Sequence, residues 1–299
     1  MSKSKKIRIA IASGKGGTGK TLISVNMFYA LNQIYGRVTL IDCDAEEPND
    51  MLFFRDVDYT EESQSVVNLS IPVIDSKLCT FCGLCQEYCS YNAIFILKDL
   101  KRISLMEDLC HGCGACSYAC RYGAITEKEI PLGAVTKYKV YNNSHIIEAR
   151  GLVGVYSPVP VIKSATARSD SEGITLLDSP PGTSCPFIHT VASADYVILV
   201  TEPTPFGVSD LKQSAQTLRT MGKPYGVIVN RAGLGDDEVF RYLRDEGVPL
   251  LMEIPFQREV ASIYSNGGIV AKVRPEWIND FGDLFNLIYK DYGDSGHKR

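Results

Sequence analysis

Short apolar runs and amphipathic stretches alternate along most of this chain. The runs at 7–12, 38–41, 174–177, 196–200, 226–229 and 250–254 show no in–out alternation, which predicts strands buried on both faces. Periodic stretches at 20–33, 208–220, 236–244 and 258–265 predict helices between them. Strand followed by helix, repeated, predicts an α/β fold around a mostly parallel sheet. Residues 138–141 and 145–149, joined by Asn142-Asn143, predict a hairpin. A last amphipathic stretch puts Trp277, Ile278, Phe281, Leu284, Phe285, Ile288 and Tyr289 on one face. Its polar side carries Glu276, Asp280 and Asp283, which anionic lipid would repel, so it reads as a core helix rather than a membrane anchor.

Residues 71–130 break this rhythm. Eight of the ten cysteines lie between Cys79 and Cys120, and the stretch contains a repeat. The sixteen residues from Cys79 recur from Cys110, with eight positions identical, all four cysteines among them. Two copies are too few for a solenoid core, so they read as halves facing each other across a pseudo-two-fold axis, linked by short strands at 94–97 and 103–105. The expected organisation is therefore an α/β domain in two parts, 1–70 and 131–299, with a small α+β domain inserted at 71–130.

Composition narrows the function. The chain has 299 residues and a net charge of −4. It lacks the basic surplus that nucleic-acid binding needs. No apolar run is long enough to span a membrane. The charged start, residues 1–6, leads into a strand and not into a signal-peptide core, which predicts a cytoplasmic protein. Ten cysteines in that setting point to metal or redox chemistry, not to disulfides.

Ser13-Gly-Lys-Gly-Gly-Thr-Gly-Lys-Thr21 follows a predicted strand and opens a predicted helix, the setting that makes a glycine-rich match a phosphate loop. Backbone N–H groups along Gly14, Lys15, Gly16, Gly17, Thr18 and Gly19 would curl around phosphate oxygens at the positive helix end. Lys20 would reach the β- and γ-phosphates, and Thr21 would offer its hydroxyl to Mg²⁺. Asp178 ends one strand and would hold a Mg²⁺-bound water. Asp42 and Asp44 end another, at the sheet edge where α/β folds bind ligands.

With the extra Lys15, the Asp42-x-Asp44 pair and Asp178-x-Pro-Pro-Gly182, the chain resembles the MinD/ParA superfamily of ATPases with a deviant Walker A loop. The resemblance implies ATP and Mg²⁺ as cofactors. It implies a nucleotide-dependent homodimer, or pairing with a related ATPase, in which Lys15 reaches the partner's nucleotide. It also implies that Asp44 orients the attacking water and that Asn230, in Val227-Ile-Val-Asn-Arg231, recognises adenine.

Each half of the insert reads Cys-x₂-Cys-x₂-Cys-x₃-Cys, the spacing of bacterial two-cluster ferredoxins, in which the fourth cysteine ligates the other cluster. That spacing assigns Cys79, Cys82, Cys85 and Cys120 to one [4Fe–4S] cluster. It assigns Cys89, Cys110, Cys113 and Cys116 to the other. Zinc is the alternative, although structural zinc sites usually use two separated Cys-x₂-Cys pairs. Ser90 and Arg121 stand where ferredoxins usually carry proline. The whole resembles MinD-superfamily ATPases with an inserted ferredoxin domain.

Of the remaining cysteines, Cys43 reads as a small buried residue. Cys185 follows the Asp178 motif at the spacing of the cluster ligand in the nitrogenase iron protein. Three functions stay open: ATP-coupled electron transfer to an unidentified redox partner, a metallocluster scaffold or carrier serving a metallocluster partner, and a redox-sensing regulatory ATPase.

Overall fold

The first strand, β1 (Ile7–Ala12), is buried on both sides: Ile7, Ile9 and Ile11 enter one apolar cluster, Ala10 and Ala12 the other. Side chains alternate across a strand, so a sheet covered on both faces needs apolar residues at every position. The computed structural model describes residues 6–294 except Asn142, Tyr156, Ser171 and Glu172. The charged segment 1–5 and the turn residue Asn142 thus lie outside the described residues.

After β1 come α1 (Lys20–Tyr35), β2 (Val38–Asp42), a long β3 (Tyr59–Ile74), α2 (Leu84–Glu87), β4 (Ile94–Leu97), β5 (Arg102–Leu105), α3 (Ala115–Ala119) and a long β6 (Ile125–Val140). The chain continues through β7 (Ser144–Gly151), α4 (Val159–Thr166), β8 (Ile174–Asp178), α5 (Cys185–Ala192), β9 (Tyr196–Thr201) and α6 (Pro205–Thr220). It ends with β10 (Tyr225–Ala232), α7 (Glu238–Asp245), β11 (Leu250–Pro255), α8 (Arg258–Ser265), α9 (Val270–Val273) and α10 (Glu276–Asp294). One sheet has the order β11-β10-β9-β1-β8-β2-β7-β6-β3, and β4 pairs with β5 in a second.

From β11 to β7 all neighbours are parallel, whereas β6 and β3 add on antiparallel. Residues of α1 and α8–α10 share the apolar cluster on one face, and residues of α4–α7 share the other. The terminal stripe packs as expected: Phe281, Leu284, Phe285 and Ile288 are buried, and Phe285 lies 5.2 Å from the Tyr35 ring of α1. No helix among the described residues is long and apolar enough to cross a membrane.

The sequence pattern does not predict α4, α5, α9 or β3, nor the very short helices α2 and α3. α4 and α5 each carry a proline in the first turn, no acidic side chain and a single basic one, Lys163 or His189, so no charged face marks a helical period. β3 is polar at every position from Thr60 to Ser65, with no in–out alternation there. Its partner β6 supplies the backbone hydrogen bonds that define it, over almost the whole of both strands. Strand propensity matters little where pairing is this extensive.

β6 pairs with β7 only from Gly133 to Val140, so its first half runs on past Gly151. Because β7 is parallel to β2, that half projects from the carboxyl end of the sheet, with β3 beside it. The cysteine-rich segment sits at the tip of this two-stranded ribbon. Boundaries drawn at 70/71 and 130/131 fall within the ribbon strands. At its root the pairing shifts register: Val67 faces Gly133 but Asn68 faces Pro131. Leu132 is the extra residue, a bulge that bends the strand where it leaves the sheet. Its side chain is buried, and its carbonyl accepts from the N–H of Leu152 at 2.8 Å.

Gly133 leaves no room for a side chain. A Cβ there would lie 2.3 Å from the carbonyl oxygen of Arg150 and 3.0 Å from Gly151 Cα. Gly133→Ala should therefore push β6 away from β7 and cost about 1–3 kcal/mol. A lowered urea midpoint would register the loss, and Gly16→Ala, where a Cβ meets nothing within 4 Å and φ is not positive, is the comparison for a glycine outside the ribbon root.

Candidate functional site

The phosphate loop links β1 to the first turn of α1, where Lys20 is buried. Asn230, from the end of β10, braces it. The Asn230 Nδ2 donates to the carbonyl of Thr18 at 2.8 Å, and its Oδ1 accepts from the backbone N–H of Arg231 at 2.9 Å. Gly16, Gly17, Gly19, Lys20, Thr21, Asp44 and Asn230 line one cleft of about 490 Å³, a volume usual for small-molecule sites. Phe256 and Tyr264 form part of its far wall. Gly14, Lys15 and Thr18 complete the loop. Thr18 Oγ1 is buried without a hydrogen-bond partner.

Three carboxyls, Asp42, Asp44 and Asp178, gather at the strand ends, and Asp50 lies beside them on the following turn. Asp42 and Asp178 stand opposite one another on neighbouring parallel strands. Asp42 accepts three backbone N–H groups: Asp44 at 3.1 Å, Asn49 at 2.8 Å and Asp50 at 3.0 Å. Asp178 Oδ2 accepts from the Thr21 hydroxyl at 2.8 Å, whereas its Oδ1 is buried with no donor. Burial, then repulsion from Asp178, raises the Asp42 carboxyl well above the usual range. Burial raises Asp178 too, against the pull of Lys20 and Thr21. Burial and Asp178 push Asp44 up to about 6, with Lys20 opposing. Lys20 itself is lowered by burial although both acids attract its charge. Thr21 and the donorless Asp178 oxygen fit a hydrated Mg²⁺, whose waters have only hydrogens to offer.

Lys15 points elsewhere. Its Nζ lies 2.7 Å from Glu202 Oε1, and Arg231 Nη1 lies 2.8 Å from Glu202 Oε2. Burial alone would raise Glu202, but these two cations hold it below the ordinary carboxylate range. Glu202 was not singled out from the sequence. Its place just past the end of β9 obeys the rule that pointed to Asp42 and Asp178, so the signal was there. Asp50, fully buried beside Asp178, was also missed. In sequence it is the opening acid of a short helical turn, which caps commonly use.

The cysteines repeat in structure as in sequence. Cys79, Cys82, Cys85 and Cys89 run half-buried, exposed, buried, half-buried, and Cys110, Cys113, Cys116 and Cys120 run the same way. α2 and α3 each start after a glycine in the left-handed region, Gly83 and Gly114. Cys85 has Cys79 and Cys82 as near neighbours. Cys89 joins Cys110, Cys113 and Cys116 around one small cavity, so the fourth cysteine of one half meets the first three of the other. Burial pushes the thiols of Cys85, Cys110 and Cys116 up. Backbone N–H groups of Phe81 and Ala93 donate to the sulfurs of Cys79 and Cys89 at 3.4 and 3.3 Å. His111 is stacked on Tyr91, centroids 3.7 Å apart, against the same cavity. Among the described residues no three His, Cys, Asp or Glu side chains converge as a single metal ion requires. Cys43 is buried as expected, and Cys185 is exposed at the start of α5.

The sequence pattern of the CobQ/CobB/MinD/ParA nucleotide binding domain matches residues 9–270. Two proteins of Methanocaldococcus jannaschii are similar over most of their length. MJ0579 is 28% identical over 291 residues, covering 94% of each chain. MJ0578 is 31% identical over 263 residues, covering 87% of this chain and 88% of its own. Among solved structures, the septum site-determining protein MinD of Pyrococcus horikoshii, complexed with Mg-ADP, superposes with a TM-score of 0.57 at 22% identity. That match covers 94% of this chain and 97% of the other. The parallel sheet, the braced loop and the acids at its carboxyl edge agree with these likenesses: the chain belongs to the CobQ/CobB/MinD/ParA nucleotide-binding family.

Proposed function

We propose that this protein is an Mg²⁺-dependent ATPase whose nucleotide state controls electron transfer through two [4Fe–4S] clusters. One observation carries the reading: nucleotide loop and cysteine module share the carboxyl edge of one sheet and are joined there. The backbone N–H of Gly151, at the ribbon root, donates to the carbonyl of Ala45 at 2.7 Å. Ala45 follows Asp44 directly, so a movement of Asp44 towards a γ-phosphate pulls on the strand end that carries the ribbon. The bulge at Leu132 is the place where such a pull would turn it.

In this reading Lys20 and the loop N–H groups hold the phosphates, and Thr21 with Asp178 positions hydrated Mg²⁺. Asp44 orients the attacking water, and Asn230 keeps its second amide N–H for the base. Lys15 must leave Glu202 to reach a nucleotide on a partner subunit, and Arg231 stays behind to neutralise that acid. The dimer can be of two copies or with a related ATPase. Four cysteines around one cavity, three from one half and one from the other, support the cluster assignment. A cubane takes one thiolate at each iron, so its ligands stand apart and do not converge on a point. When bound, such clusters supply one-electron transfer. The direct test is the reduction potential, and the rate of electron transfer to a dye, in ADP and in a non-hydrolysable ATP analogue. A difference is expected; equal values in a sample shown to dimerise would leave the cysteine module as a carrier or sensor.

Two sets of variants separate the parts. Lys20→Ala should weaken ATP binding by at least about 10-fold, because a charge-assisted phosphate contact is lost. Asp44→Asn should keep binding but slow hydrolysis about 100-fold or more. The wild-type kcat/KM for ATP should rise with pH through about 6, since only ionised Asp44 accepts the water's hydrogen and burial has raised it to that value. Normal hydrolysis by Asp44→Asn would falsify its role.

Anaerobically purified protein should contain about eight irons and eight acid-labile sulfides per chain, as two cubanes require. Cys89→Ala should damage the cluster of the second half more than that of its own, seen as a loss of about four irons. Stoichiometric zinc without sulfide would rule out the cluster assignment.

A further inference from the structure

Asp50 lies at the start of a 3-10 turn, Asp50–Phe54, immediately after the Asp44 loop. It is wholly buried, and neither side-chain oxygen has a donor. The charged groups that act on it most strongly are acids, Asp42 first, then Asp178 and Asp44, and it can bond to the Asp178 carboxyl only by sharing a proton. Nothing in packing calls for a carboxyl here. An asparagine of the same shape could donate to Asp178, and an apolar residue would avoid the desolvation altogether.

The orphaned oxygens are not scattered. Asp178 Oδ1 and both Asp50 oxygens make three acceptors without donors in one buried place, beside the Thr21 hydroxyl that Asp178 already engages. Metal-bound water is the complementary ligand, because each such water presents hydrogens outwards and carboxylates are its best acceptors. Direct ligation is a different arrangement and would need acids converging on a point, which the described residues do not provide. Position is fixed from both ends: the Asp50 N–H donates to Asp42, and Phe53 of the same turn stacks on Tyr264 in the cleft wall, centroids 5.0 Å apart.

We propose that Asp50 is a positioning residue for the nucleotide's Mg²⁺, accepting hydrogen bonds from its water shell alongside Asp178. The proposal rests on the Mg²⁺-nucleotide reading of the cleft. It adds to Thr21 and Asp178 an acid that accepts hydrogens from the metal's waters, on a turn that also touches the wall of the cleft.

The test is the affinity of a fluorescent ATP analogue, measured from EDTA through stepped Mg²⁺, in wild type, Asp50→Asn and Asp50→Ser. Both variants keep the backbone N–H given to Asp42, and asparagine keeps the shape. Affinity in EDTA should stay within about twofold of wild type. The Mg²⁺ concentration for half-maximal tightening should rise about 10–100-fold in both, the usual cost of losing an outer-shell partner. An unchanged Mg²⁺ midpoint in either folded variant overturns the role of Asp50 while leaving the nucleotide site standing. Wild-type protein that binds no nucleotide at any Mg²⁺ concentration overturns the site and this inference with it.

Discussion

Asp42 and Asp178 end neighbouring parallel strands in register, and the parallel pairing leaves them no way to avoid each other. Two buried carboxyls side by side are costly, and the surroundings are arranged to meet that cost. Three backbone N–H groups are turned onto Asp42, which requires the chain after β2 to curl back as far as Asp50. Lys20 and Thr21 face Asp178 from the start of α1. The curl that satisfies Asp42 is the same segment that carries Asp44, so the loop expected to sense phosphate is held by the acid beneath it.

The phosphate loop depends on the same edge. α1 cannot shift without moving Thr21 off Asp178, and the helix is fixed by its packing on α10 and by Asn32, which accepts from the Ser144 hydroxyl at 2.7 Å. That hydroxyl also accepts from the N–H of Val38, tying α1, β2 and β7 together at the amino end of the sheet. Asn230 closes the opposite side by donating to Thr18. The cleft is therefore framed by elements distant in sequence, held by polar contacts that are buried at Ser144 and Asn230 and partly buried between Thr21 and Asp178.

The ribbon extends this edge outwards. An antiparallel pair added to a parallel sheet can run past it, since its hydrogen bonds are made within the pair. β3 and β6 do so, and the cysteine halves at their tip have their own small core around Ile94, Ile96, Cys85 and Cys116. Only the root, where Gly133 and Gly151 pass too closely for side chains, is shared with the main sheet. A local change at Ala45 and Gly151 is thus handed to a stiff two-stranded arm.

By itself the sequence determined the parallel sheet, since continuous apolar runs leave no other way of being covered. It also determined the phosphate loop, because glycines and Lys20 fall between a strand and a helix. It determined the internal repeat of the cysteines, which spacing alone displays and which their matching burial follows. Tertiary structure decided what depends on partners far along the chain. β3 is a strand only because β6 pairs with it, and its polar residues gave no period to read. Glu202 meets Lys15, and Asp50 meets Asp178, across strand ends whose order in the sheet is not their order in sequence. A carboxyl at the head of a short turn looks like a cap until the fold closes over it. Only burial without a donor marks Asp50 as different, and burial belongs to the tertiary structure.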